Sequence, residues 1–204
     1  MAGGALRIMG IDPGTNYMGY GIVDVVDGRP VAVVMGEIDM HKIADAHHKL
    51  RYIFERVQSL MEGYAPAEVA FESPFFGTNV QSMLKLGRAQ GVAIAAVLSV
   101  NGDVVIEEYA PSRIKQAITG SGSASKERVA TMINSILGTD YKPRKLDATD
   151  GMAVALCHWF TCSNALTRVM AGDKRKGLGG DSKSRKGSRS WESFVSSNPD
   201  RVKG

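Results

Sequence analysis

The chain has 204 residues, is 44% hydrophobic and 23% charged, and carries a formal net charge of +4, which places it in the range of one soluble globular domain with a substantial core. Its longest apolar stretches, such as Val92 to Leu98, fall short of the roughly 20 residues that span a bilayer, and its first residues, Met1 to Arg7, lack the layout of a secretory signal, so a cytoplasmic protein with no membrane partner is expected. Cys157 and Cys162 are too few for a disulfide framework and are expected to be reduced structural thiols; His41, His47, His48 and His158 form no zinc-ligand motif and read as surface or packing histidines.

Three strand-like runs open the chain, Leu6 to Ile11, Gly19 to Val26 and Pro30 to Ile38, separated by turn signals at Asp12-Pro-Gly and Asp27-Gly. Their close spacing predicts an antiparallel meander. From Ile43 to Met61 the apolar residues Leu50, Ile53, Phe54, Val57, Leu60 and Met61 recur at helical intervals. Glu68 to Glu72 reads as a short strand ending in an acid. A helix over Gln81 to Ser99 and a strand over Asp103 to Glu108 follow, and Pro111 suits the first turn of a short helix. The glycine-serine loop Gly120 to Ser125 precedes a helix over Lys126 to Leu137, and a last helix is predicted from about Leu146 to Thr161. This order describes an α/β fold, a mixed sheet of about five strands flanked by helices.

Beyond Ala171 the composition turns to Gly, Ser, Lys and Arg, which cannot bury enough apolar surface to order itself. The expected organisation is a domain over residues 1–171 and a disordered basic tail over 172–204, with Trp191 and Phe194 either a docking peptide or stray aromatics. The tail holds nine Lys/Arg against four Asp/Glu, leaving sixteen of the chain's 25 basic and seventeen of its 21 acidic residues in the folded part. Any nucleic-acid affinity of that part must therefore come from local segregation of charge.

The chemistry lies in acids at the ends of elements. Asp12 closes a mostly apolar strand directly before a Pro-Gly turn, and Glu72 repeats the device. Asp147 and Asp150, three apart, share one face near a helix N-terminus, where a solvated first turn or a cap would account for either alone. Together, two strand-end acids and an acidic helix face can converge at one sheet edge. Without a cation, mutual repulsion would raise the pKa of at least one of them. Oxygen-only donors suit Mg²⁺ or Mn²⁺, and two such ions activate water and stabilise the leaving oxygen in phosphodiester hydrolysis.

The blocks Gly10 to Gly21, Phe71-Glu-Ser-Pro-Phe75, Leu84 to Val92, Glu108-Tyr-Ala-Pro, Ile114-Lys-Gln, Gly120 to Lys126 and Asp147 to Ala153, in that order, resemble the RuvC Holliday-junction resolvases over roughly residues 6 to 165. The resemblance implies a ribonuclease H-like fold, a homodimer and a Mg²⁺ site formed by Asp12, Glu72, Asp147 and Asp150. It implies symmetric nicking of a four-way DNA junction to leave 5′-phosphate and 3′-hydroxyl ends, and a branch-migration helicase partner of the RuvA and RuvB type. By the same resemblance Phe75 stands where an aromatic inserts at the crossover, and Lys115 and Lys126 contact the DNA backbone; Phe76 is expected to support Phe75, the alternatives being that Phe76 inserts or that both rings pack in the core. The Leu84 to Val100 helix, rich in small residues, would contribute to the dimer interface. The tail reads as an extension beyond the matching region, adding salt-sensitive attraction for DNA or only solubility.

Two other classes compete. An actin-like ATPase also presents Asp-x-Gly-Thr after a strand, but a second phosphate hairpin and an adenosine loop are missing from this sequence. A non-catalytic junction-binding module would be expected to have lost at least one of the four acids.

Overall fold

In a computed structural model of the chain, which describes residues 5–74, 79–141 and 147–170, the elements follow the predicted order. They are β1 (Leu6–Asp12), β2 (Tyr17–Val26), β3 (Arg29–Asp39), α1 (Ala46–Tyr64), β4 (Glu68–Glu72), α2 (Val80–Val100), β5 (Val105–Tyr109), α3 (Pro111–Thr119), α4 (Lys126–Leu137) and α5 (Asp147–Met170). The chain divides into two units, Met1–Thr167 and Arg168–Gly204. Of the second, only the end of α5 is described, so the expected disordered tail and its Trp191 and Phe194 lie outside the described residues.

The strands form one sheet in the order β3-β2-β1-β4-β5. The first three make the antiparallel meander, while β4 runs parallel to β1, and β5 parallel to β4. The β2–β3 turn is Asp27-Gly28, with φ of 50° and 75° and Val26 paired to Arg29. Two consecutive positive φ values define the two-residue turn whose twist matches that of the flanking strands, and Asp-Gly adopts it readily. Arg7 ties the meander to the end of α1: its guanidinium donates to both carboxylate oxygens of Asp24 at 2.7 and 2.8 Å and to the Tyr64 carbonyl at 2.7 Å. That paired hydrogen bond holds the Asp24 carboxyl below its usual pKa.

Alternation along the strands separates two cores. One face places Met9, Ile11, Val69 and Phe71 against Ile53 and Val57 of α1 and Ala89, Ala93 and Val97 of α2. The other places Ile8, Val23 and Ala70 against Ile114 of α3, Val129 and Ile133 of α4, and Met152 and Leu156 of α5. On this second face the α5 backbone approaches the sheet closely. A Cβ on Gly10 would lie 2.2 Å from the Ala155 nitrogen, one on Gly21 2.4 Å from the Met152 Cα, and one on Gly151 2.4 Å from the Tyr20 Cα. Helix and strands meet there with no side chain between them.

Most predicted boundaries hold to within a few residues, because caps define them. Asp45 accepts from the His48 amide at the start of α1, and Ser125 from the Arg128 amide at the start of α4, while Gly120 and Gly138 take left-handed conformations after α3 and α4. Two expectations change. α5 continues past Thr161 to Met170, since Ser163 and Asn164 are weak helix formers rather than breakers and the next glycine is Gly172. α2, 21 residues long with a mean hydropathy of 1.3 over its most apolar window, is by length and composition long enough to cross a membrane. Reading only unbroken apolar runs missed this, because Lys85, Arg88 and Gln90, with Gly87 and Gly91, interrupt them. Its Ala89, Ala93, Ala96 and Val97 are buried in the first core.

Candidate active site

β1 and β4 pair in parallel up to Ile11 and Phe71, so the next residues, Asp12 and Glu72, end neighbouring strands side by side. Both share the strand parity of Gly10 and Ala70 and therefore face α5. Beyond Asp12 the loop turns sharply: a Cβ on Gly14 would lie 1.7 Å from the Tyr17 carbonyl oxygen, so only glycine fits. Lys49 of α1 holds the same loop from the other side, donating to the Thr15 carbonyl at 3.2 Å and to Asn16 Oδ1 at 2.6 Å.

α5 brings Asp150 to this edge. Asp12, Glu72 and Asp150 line one cleft of about 160 Å³ together with Lys115 of α3, Lys126 of α4 and the apolar Pro111, Ile114, Val129 and Ala153. Asp147 opens α5 three residues before Asp150; its side chain lies outside the described residues, as do Phe75 and Phe76. The structure thus brings together three of the four predicted acids and both predicted lysines. Lys126 has a role the sequence did not indicate: its ammonium meets Asp150 Oδ2 at 2.5 Å at the wall of the cleft.

Burial and the charge of Asp150 push the Glu72 carboxyl up from 4.5 to about 7, with Lys126 and Lys115 pulling the other way. Below 4.5 both the folded and the unfolded chain hold this proton; between 4.5 and about 7 only the folded chain does. Metal-free protein is therefore expected to lose stability as pH rises through that interval, by at most about 1.4 kcal/mol per pH unit. Urea unfolding in chelator, compared with Glu72→Gln, measures the difference; equal pH slopes for the two proteins would refute it.

A second constellation escaped the sequence reading. His158 and Cys162, four apart on α5, meet Glu68 at the start of β4, and among the described residues these three could hold a metal ion. His158 Nε2 lies 2.7 Å from Glu68 Oε2, and Nδ1 lies 2.7 Å from the Tyr109 hydroxyl. Burial raises the Tyr109 phenol to about 12, and burial with the charges of Glu68 and Glu107 raises the Cys162 thiol. The i, i+4 spacing of His158 and Cys162 was the available signal. A third feature is a cleft of about 260 Å³ lined by Thr15, Asn16, Lys49, Lys85 and Arg88.

Strand-end acids beside an acidic helix turn, on a β3-β2-β1-β4-β5 mixed sheet, define a nuclease of the ribonuclease H-like class. The family profile described as "Crossover junction endodeoxyribonuclease RuvC" matches residues 8–158. Proteins of that description from Cytophaga hutchinsonii and Bacteroides fragilis are each 49% identical over 96% of this chain, covering 88% and 95% of their own lengths. A solved structure of Thermus thermophilus RuvC in complex with a Holliday junction substrate superposes with a TM-score of 0.72 at 30% identity, over 78% of this chain and 96% of that one. The chain belongs to the RuvC family of Holliday-junction-resolving endodeoxyribonucleases, hydrolases that depend on a metal. The family match ends at residue 158, while the alignment with the Cytophaga relative spans 196 residues, so most of 172–204 has a counterpart in that protein.

Proposed function

We infer that this protein resolves four-way junctions by symmetric, Mg²⁺-dependent hydrolysis, leaving 5′-phosphate and 3′-hydroxyl ends, and that Asp12, Glu72, Asp147 and Asp150 hold the metal. The observation that carries this reading is the convergence of Asp12, Glu72 and Asp150 in one cleft with two lysines at its wall. The donor set fits hard divalent ions: it is oxygen-only, and a raised carboxyl pKa is what such a cluster has before a cation compensates it. Bound there, such ions supply an activated water and charge stabilisation at the leaving oxygen. Mn²⁺ is expected to substitute.

The chain's own residues do the rest. Asp12 and Glu72 are held by paired strands and Asp150 by a packed helix, so the donors are fixed in advance. Lys115 and Lys126 border the cleft and supply charge for the DNA backbone, with Phe75 as the crossover wedge. Lys49, Lys85 and Arg88, beside the loop that leaves Asp12, extend the positive surface.

A homodimer suits two symmetric cuts. Support for α2 as its interface comes from the exposed Val80, Leu84, Leu98 and Val100 and from the open space over Gly87 and Gly91. The working assignment is a nuclease domain over 1–171, a basic tail over 172–204, a cytoplasmic site of action and a RuvA and RuvB type partner. The test is incubation of the full chain with a labelled four-way junction, with and without Mg²⁺. Paired nicks at opposed positions, dependent on the ion and lacking on linear duplex, are expected. Nicking of duplex and junction alike would overturn the structure-selective reading, and nucleotide turnover in place of nicking would favour the actin-like alternative.

A further inference from the structure

We propose that Glu68, His158 and Cys162 form a second metal site, separate from the catalytic acids, that takes a single Zn²⁺ and clamps β4 to α5. His158 lies eight residues beyond Asp150, about 12 Å along the helix, and Glu68 stands at the opposite end of β4 from Glu72. The two sites therefore sit toward opposite ends of β4 and share no donor.

The chemistry of the donors selects the ion. A thiolate, an imidazole nitrogen and one carboxylate oxygen suit zinc, whereas the oxygen-only catalytic cleft suits magnesium. Cys162 Sγ lies 3.7 Å from His158 Nε2 and 3.9 Å from Glu68 Oε2. Tetrahedral zinc with ordinary bond lengths sets such separations at about 3.3 to 3.6 Å, so the sulfur is already close to place. The nitrogen and oxygen, now 2.7 Å apart, must open by about half an ångström to sit on the same ion. The Glu68 carboxylate, half-buried on a rotatable side chain, can supply that movement.

The outer contact is also in place. His158 is 2% exposed, and its Nδ1 meets the Tyr109 hydroxyl. With a neutral ring, Tyr109 donates to Nδ1 and Nε2–H donates to Glu68. When Zn²⁺ enters, the ring proton moves from Nε2 to Nδ1, where the Tyr109 oxygen accepts it, and the Cys162 thiol proton passes to solvent. One proton leaves per ion, and the ion's two positive charges are balanced by thiolate and carboxylate.

The experiment uses the full chain stripped of metal and titrated with Co²⁺ as a spectroscopic probe. A sulfur-to-cobalt charge-transfer band saturating at one equivalent, and displaced by Zn²⁺, is expected. Co²⁺ in the catalytic cleft gives no such band, so Asp12→Asn keeps it. Cys157→Ala keeps it as well, since that thiol is not a donor, and Cys162→Ser loses it. Tyr109→Phe retains all three donors and weakens Zn²⁺ binding about 10- to 100-fold. No sulfur band in the parent, or a band that survives Cys162→Ser, overturns the proposal. So does Zn²⁺ affinity in Glu68→Gln equal to that of the parent.

Discussion

Asp12→Asn is expected to lower junction cleavage by about 10³-fold or more while leaving junction binding within a few-fold. The amide preserves the shape of the side chain at the end of β1 and removes only its charge. Metal-assisted stabilisation of developing negative charge is worth several kcal/mol, and each 1.36 kcal/mol is tenfold in rate. Binding rests on different groups, the lysines and arginine around the two clefts and the contacts across the junction arms. A gel-shift titration alongside a single-turnover cleavage assay separates the two quantities. Cleavage by both proteins would remove Asp12 from the mechanism.

Gly151→Ala is expected to impair cleavage as severely, although residue 151 makes no contact with substrate in this reading. The new Cβ would lie 2.4 Å from the Tyr20 Cα and 2.6 Å from the Gly19 carbonyl carbon. Both obstacles are backbone in the middle of a sheet and cannot swing aside, so α5 must lift, carrying Asp150 with it. Overpacking of this kind costs about 1 to 3 kcal/mol, which lowers Tm by roughly 2 to 12 °C in a chain of this size. Gly63→Ala is the control: its Cβ meets nothing within 4 Å, and alanine in a helix is favoured over glycine by up to about 1 kcal/mol. Calorimetry and the cleavage assay on the two variants should diverge in both readouts. Equal cleavage by Gly151→Ala and parent would mean that the helix seam does not set the position of Asp150.

How much of this could be read from residues alone depended on the range of the interaction. Asp12 and Glu72 were visible because a carboxylate closing an apolar strand is a local anomaly. The start of α4 was visible because the glycine-serine loop Gly120 to Ser125 before it is a local turn signal. What stayed hidden needed contacts across long stretches of chain. Glu68 and His158 are 90 positions apart, so nothing near either one announced the other. The pairing of Lys126 with Asp150 was likewise hidden, because the two are 24 residues apart and meet only through the packing of α5. The overrun of α5 has a different cause: between Thr161 and Met170 no glycine or proline interrupts the helix, and Ser163 and Asn164 are only weak helix formers.

The ion pair between Lys126 and Asp150 has a bearing on how the acid cluster comes into being. A group of carboxylates that relied on an external ion for neutrality would stay open until that ion arrived, making folding contingent on supply. Here the Lys126 ammonium pairs with Asp150 at the wall of the cleft, and burial with the charge of Asp150 raises the Glu72 carboxyl to about 7, so part of the mutual repulsion is relieved before any ion binds. A sample stored in chelator is therefore expected to hold its fold best on the acid side of neutrality, and to gain most from the ion above about pH 7, where Glu72 gives up its proton.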